Sequence, residues 1–224
     1  SSNKPMNLSW FMEFPTQAKQ QLSEMKIQIS SDKLIQGVKN TSGYLLLILF
    51  AIVAIYWRMG TINKRLETLS ANVGHFIHDG QLNTPHAIYL TLIKALPGSL
   101  FIFAIGLVCL KSEMSTSHFF WRLALHLSLF WLVCSFIWYS LSPKGFVVHH
   151  FAVPVKYCTQ RRRQALLLSL TILPLIFGSI LGEQNPLWLM NDVIGQGIIL
   201  FILLALCVQI FPLCRSYLQN GNSF

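Results

Sequence analysis

The segment FFWRLALHLSLFWLVCSFIWYSL, residues 119–141, indicates which class of fold this protein adopts. Its side chains are mostly apolar. Its one arginine, Arg122, and its one histidine, His126, lie in its first half. An α-helix of this length measures about 35 Å at roughly 1.5 Å per residue, which is enough to cross a bilayer core of about 30 Å. We therefore predict that this segment is a transmembrane helix.

The residues that follow this segment predict its orientation. Ser142 to Gln164 contains no acidic residue and five basic ones: Lys144, Lys156, Arg161, Arg162 and Arg163. Loops rich in Lys and Arg remain on the cytoplasmic side of a membrane. The helix is therefore expected to leave the membrane toward the cytoplasm.

The composition of the whole chain agrees with a membrane protein. Of its 224 residues 53% are hydrophobic and 11% are charged, whereas soluble domains carry about 25% charged residues. The net charge of +9 comes from basic residues beside and between apolar segments, where membrane topology and anionic lipid headgroups explain them. We predict the lipid bilayer as the partner and no nucleic acid.

The pattern of apolar segments predicts an all-α, polytopic fold with about five transmembrane helices. Residues 1–42 form a periplasmic or interfacial amphipathic segment, residues 43–215 the transmembrane domain and residues 216–224 a cytoplasmic tail. A solvated helix of a larger domain is an equal alternative for residues 1–42. The five predicted spans are Tyr44–Trp57, Thr91–Leu110, Phe119–Leu141, Ala165–Gly182 and Val193 to about Cys214.

The distribution of basic residues predicts a periplasmic N-terminus and a cytoplasmic C-terminus. Inner loops 58–91 and 142–164 and the tail from residue 215 hold nine Lys and Arg, whereas outer loops 111–118 and 183–192 hold only Lys111. Five lysines at the outer N-terminal end fit this orientation if the chain is part of a longer polypeptide with a translocated domain. The side chains expected to meet lipid headgroups and fix the orientation are Arg58, Lys64, Arg65, Lys156, Arg161, Arg162 and Arg163.

Two further patterns are candidates for specific roles within the membrane. His118, Arg122 and His126 recur at intervals of four and predict one polar helix face. They form a protonatable cluster that faces a water-filled crevice, or Arg122 snorkels to the interface beside Trp121 while the histidines face neighbouring helices. Gly178 and Gly182 form a G-x-x-x-G pair, which permits close helix packing or arises by chance in a glycine-containing chain.

The sequence predicts no enzyme, metal or cofactor. It contains no nucleophile with an assignable base, no P-loop and no dinucleotide-binding fingerprint. Zinc sites usually pair their ligands at short fixed spacings. The His and Cys residues of the two predicted inner loops lack such spacing: His75, His78, His86, His149, His150 and Cys158.

Two loop segments resemble a known family. They are Asp79-Gly-Gln-Leu-Asn-Thr84-Pro85-His-Ala87, continued through Ala95-Leu96-Pro97, and Leu141-Ser-Pro143-Lys-Gly145-Phe, continued through Pro154 to Arg163-Gln164. They are similar to the inner-membrane region before the pore in large MscS-family mechanosensitive channels of the MscK and MscM type. Asn7-Leu8-Ser9-Trp10 and Phe14-Pro15 also resemble the end of that family's periplasmic domain.

The resemblance implies a periplasmic domain upstream, about eleven membrane helices, and a Gly- and Ala-rich pore helix and cytoplasmic vestibule downstream. It predicts that this chain is a peripheral, tension-sensing or scaffold region that lacks the pore helix. The channel would be an inner-membrane homo-oligomer, assembled through the pore, that protects cells from osmotic downshock. The alternatives are a self-contained transporter or assembly subunit and, for residues 142–164, a docking or lipid-binding loop.

Overall fold

The computed structural model describes residues 12–16, 19, 30–71, 82–114, 116–151, 153–184 and 193–221. Residues 20–29 of the predicted amphipathic segment lie outside these residues, as do His75, His78 and Asp79. Throughout the described ranges the secondary structure is helical and contains no strand. The predicted all-α fold is confirmed.

In the part of the chain that the structure describes, six helices follow a short helical segment at residues 12–16. They differ greatly in length, from a single turn to a rod that at about 1.5 Å per residue extends roughly 60 Å. In chain order they are α1 (Ser31–Ala71), α2 (Asn83–Leu110), α3 (Ser117–Ser140), α4 (Phe146–His150), α5 (Val155–Gln184) and α6 (Val193–Gly221).

Helix α1 is much longer than the predicted first span. It begins at Ser31 and ends at Ala71, so it joins the end of the predicted interfacial segment, the span Tyr44–Trp57 and part of the predicted first loop. No proline interrupts residues 31–71, and its two later glycines, Gly43 and Gly60, are tolerated in a helix at modest cost. Polar helical extensions therefore continue α1 beyond the apolar segment at both ends.

Three of the described helices are long and apolar enough to cross a membrane: α1, α2 and α3. The predicted fourth span lies within α5, which contains Pro174. The predicted fifth lies within α6, whose apolar stretch Gly195–Gln209 is shorter. Membrane crossing by α5 and α6 remains a prediction.

One compact unit comprises residues 30–167. In it α2 packs against both α1 and α3, and α4 contacts α1 and α2. The interior is narrow because most large side chains face outward, as expected where lipid is the solvent. The buried apolar side chains include Ile48, Ile62, Leu90, Ala95, Phe119, Ala124 and Phe146.

The second unit comprises residues 1–29 and 168–224. Ile180 of α5 and Ile202 of α6 are buried, and the Gln209 side-chain amide donates a 2.6 Å hydrogen bond to the Thr171 hydroxyl. A Cβ placed on Gly197 would lie 2.6 Å from the Phe14 ring. The two helices are thus held by a polar contact within an apolar setting.

Candidate functional site

One end of the unit 30–167 collects polar and aromatic side chains from every helix around it. We call it the basic end: the last turns of α1 and α3, the first turns of α2 and α5, and residues 141–145. In a membrane protein such a collection marks the interface, where aromatic rings and basic side chains meet the headgroups.

Lys94 joins three helices at the basic end. Its ammonium group donates a 2.8 Å hydrogen bond to Oδ1 of Asn63 on α1 and lies 4.7 Å from the centre of the Tyr139 ring on α3. A cation over an aromatic face is attracted by the ring quadrupole. Lys94 therefore has a hydrogen-bond acceptor on α1 and an aromatic ring on α3 as partners within the three-helix unit.

A second contact fastens α1 to the loop after α3. Lys144 Nζ lies 2.7 Å from Oε1 of Glu67, and both side chains are largely exposed. The hydrogen bond and the charge of Glu67 raise the pKa of Lys144 above its usual value. Exposed pairs of this kind contribute little to stability and are screened by salt, so this contact positions the end of α1 without fixing it strongly.

Arg162 lies against the end of α3. Its guanidinium carbon is 3.4 Å from the centre of the Trp138 ring, and its Nε atom is buried without a hydrogen-bond partner among the described residues. The neighbouring Arg161 and Arg163 are exposed, and Arg161 bonds Gln164 at 3.0 Å within its own helix. The three arginines therefore have different environments.

Small residues form the interface between α2 and α3, which we call the seam. The buried Ser128 hydroxyl donates a 2.9 Å hydrogen bond to the backbone oxygen of Ser99. A Cβ on Gly106 would lie 2.6 Å from the Cβ of Ala124, and a Cβ on Gly98 would meet the Trp131 indole. Small residues let membrane helices approach until their backbones interact, and the seam is such a contact.

The opposite end of the unit joins the first turns of α1 to the turn after α2. Lys33 Nζ and Asn40 Nδ2 donate 3.4 Å hydrogen bonds to the backbone oxygens of Glu113 and Lys111. Between them, Gly37 packs directly on the backbone oxygen of Val108. Helix α1 is thus attached to α2 by polar contacts at both of its ends.

The basic residues predicted at the membrane interface are mostly solvent-facing. Arg58, Lys64 and Arg65 are exposed on the last turns of α1, and Lys156 is exposed at the start of α5. Their roles in orientation stay predictions. Cys158, beside them in sequence, is only 1% exposed.

The other two predicted groups have separate environments. His118 and Arg122 are exposed on α3, and His126 is half-buried with its Nδ1 atom 2.8 Å from the backbone oxygen of Arg122. Gly178 is buried in α5, the helix that also contains Gly182. Neither a protonatable role for the first group nor a packing role for the second is tested by these contacts.

The described residues contain no group of three His, Cys, Asp or Glu side chains arranged to hold a metal ion. His149 and His150 lie in α4 and His86 lies in α2. The prediction of no metal site stays a prediction for the chain as a whole.

Sequence reasoning missed the seam and the contact of Lys94. The seam has a readable signal, because Ala95 and Ser99 of α2, and Ala124 and Ser128 of α3, are spaced as small residues four apart. No sequence pattern indicates the contact of Lys94. Its partners Asn63 and Tyr139 lie far away in sequence and meet it only when the three helices pack.

Comparison with known proteins identifies the relatives of this chain. Residues 43–224 match the family model MscS_TM, described as mechanosensitive ion channel inner membrane domain 1. The chain is 37% identical over its whole length to the mechanosensitive channel MscK of Escherichia coli strain K12. It is 23% identical over 99% of its length to an uncharacterized MscS family protein of Haemophilus influenzae.

The chain spans 20% of the length of each of these two relatives. The family match nevertheless covers most of the chain and all six helices except the first part of α1. Together with the three long apolar helices, it places the protein in the inner membrane as a multi-pass protein. The chain belongs to the MscS family of mechanosensitive channels.

Proposed function

We propose that this chain is a peripheral, tension-sensing transmembrane region of a mechanosensitive channel that protects cells from osmotic downshock. The pore is lined by other parts of the channel, and the channel assembles as a homo-oligomer through those parts. The region acts as a channel component and not as an enzyme. Its N-terminus faces the periplasm and its C-terminus the cytoplasm.

The observation that carries this proposal is the outward face of α1. Leu47 is 69% exposed, Phe50 75% and Trp57 88%, so large apolar side chains line the surface where lipid tails lie. Each contributes apolar area to the contact with lipid, and a helix so exposed follows the thickness of the bilayer. Tension thins the bilayer and therefore changes the tilt that α1 prefers.

The attachment of α1 to the rest of the unit supports the same role. Its ends are held by Lys33, Asn40 and Asn63, whereas the seam joins α2 to α3 near mid-membrane. A change in the tilt of α1 is transmitted to a closely packed helix pair, which moves as one body. Coupling through packed elements of this kind links distant sites in proteins.

Patch recordings of the complete channel in spheroplasts test the proposal. Phe50→Asn removes apolar contact with lipid and should raise the tension needed for opening, whereas Phe50→Leu should leave it near the original value. Thr61→Asn, an exposed polar position on the same helix, is the control. Equal thresholds for all three variants would contradict a tension-sensing role for α1.

The orientation has its own test. Cys158 is buried, so a cysteine at the exposed neighbour Thr159 is the better reporter, with one at the exposed Lys111 for the other side. A membrane-impermeant thiol reagent added to intact spheroplasts should label Lys111→Cys and spare Thr159→Cys. The reverse pattern would contradict the proposed orientation.

A further inference from the structure

We propose that Arg162, stacked on Trp138, is a binding site for the headgroup phosphate of an anionic phospholipid. The site goes beyond the tension-sensing role, because it is defined by one arginine and one ring and would bind lipid whether or not α1 responds to tension. It requires only that the basic end lies at the membrane interface.

Arg162 has an unusual environment. Stacking at 3.4 Å covers one face of the guanidinium with the indole, and the buried Nε has no hydrogen-bond partner among the described residues. A stacked guanidinium keeps its N–H groups in the plane of the fork, where they match the oxygens of a phosphate. The ring thus holds the guanidinium in place, and its Nε is a donor that no acceptor among the described residues satisfies.

The second feature of the site is the charge around Arg162. Residues 142–164 contain no acidic side chain, and the acidic residue that α1 brings to the basic end, Glu67, bonds Lys144 at 2.7 Å. Glu67 is therefore already paired with Lys144, and an anion that neutralises Arg162 would come from a bound ligand. Arg161 and Arg163, both exposed on either side, raise the local positive potential that attracts one.

The third feature of the site is its depth. Trp138 belongs to the last turns of the apolar helix α3 and is 37% exposed, and tryptophan prefers the level of the headgroups. The exposed apolar side chains Phe151, Val155 and Tyr157 lie on the neighbouring segment. A ligand at this level that has a phosphate and apolar tails is a phospholipid.

Lipid retention by the purified, complete channel tests the site. The protein is reconstituted with phosphatidylglycerol and phosphatidylcholine, and the bound phosphatidylglycerol is measured by native mass spectrometry at low salt and after a wash in high salt. Arg162→Gln should lower the retention after the high-salt wash about tenfold, because a half-buried, stacked cation is poorly screened. Arg161→Gln and Arg163→Gln should lower it less than about twofold, since they act through screened charge.

Arg162→Lys provides a second variant that retains the charge. Its retention of phosphatidylglycerol after the high-salt wash should lie between that of the original protein and that of Arg162→Gln, because an ammonium lacks the planar fork of a guanidinium. Equal losses for all three Gln variants would reduce the site to a general basic patch and overturn the proposal, as would full retention by Arg162→Gln. Displacement of the lipid by millimolar inorganic phosphate would show a site for free anions and would equally overturn it.

Discussion

The two interfaces of α2 are built in different ways. Toward α3, the seam places Gly98, Ser99 and Gly106 against α3 and includes the buried hydrogen bond from Ser128. Toward α1, the polar contacts lie at the ends, and many of the large apolar side chains of α1 face outward. At the first interface an added methyl group would clash at Gly98 and Gly106, whereas at the second the hydrogen bonds lie toward the ends of α1, with the buried Ile48 between them.

The proposed function needs both kinds of interface, one that holds two helices together and one that lets a third helix move. Small residues bring α2 and α3 together by van der Waals contact, the main source of helix association in lipid. Individual hydrogen bonds such as those toward the ends of α1 contribute only about 1 kcal/mol each, and the proposed function requires that they let α1 change its tilt. The following variants test whether the two interfaces differ in this way.

The largest effect is expected at Gly106. Leucine there would drive its Cβ to 2.6 Å from the Cβ of Ala124, with the Trp121 ring behind it at 3.3 Å. We expect Gly106→Leu to lower the free energy of unfolding by about 3 kcal/mol, the upper range for overpacking. Unfolding in mixed micelles, followed by circular dichroism, measures it.

Gly60 is the matched control for Gly106. An added Cβ at Gly60 of α1 meets no atom within 4 Å, so Gly60→Leu should leave stability unchanged or raise it by up to about 1 kcal/mol through helix propensity. A loss at Gly60 as large as the loss at Gly106 would mean that α1 is packed on that face as tightly as the seam.

The next effect is expected at Gly37, on the face of α1 that meets the end of α2. Its added Cβ would clash with the backbone oxygen of Val108 and would lie 3.1 Å from the Cα of Ser112, and backbone atoms cannot move aside cheaply. We expect Gly37→Ala to cost about 2 kcal/mol in the same unfolding assay. Gly43→Ala, with open space around it, should leave stability unchanged or raise it by up to about 1 kcal/mol through helix propensity.

A smaller effect is expected for the hydrogen bond within the seam. Ser128→Ala removes the donor to the Ser99 carbonyl and should cost about 1 kcal/mol, as interhelical hydrogen bonds in membranes do. Ser135→Ala, at a half-buried position of the same helix, is the control. An equal loss of unfolding free energy at the two positions would mean that the interhelical hydrogen bond does not stabilise the seam.

The smallest effect is expected at the ion pair between Glu67 and Lys144. A double-mutant cycle with Glu67→Gln and Lys144→Gln should show a slight favourable coupling at low salt that disappears at high salt. Because the pKa of Lys144 is raised, the coupling should be complete at neutral pH and be lost as the pH rises through that raised value. Coupling that survives high salt would mean that the pair is more than a surface contact.

Much of this architecture can be read from the sequence, and the reason is the solvent. The bilayer requires long uninterrupted apolar helices, so the run 119–141 predicts α3 almost to its ends. The full length of α1 was missed, because its polar extensions follow helix propensity and carry no apolar signal. The partners of Lys94 and the burial of Cys158 depend on packing between distant segments, which no local pattern encodes.

Spin labels at Phe50 and Ser99 compare the outward face of α1 with the seam between α2 and α3. In a cysteine-free background of the complete channel in bilayers, oxygen accessibility is measured at Phe50→Cys on α1 and at Ser99→Cys in the seam. We predict a mobile, oxygen-accessible label at position 50 and an immobile, inaccessible one at position 99. An immobile label at position 50 would contradict the lipid-facing placement of α1 and, with it, the proposal that this region senses tension.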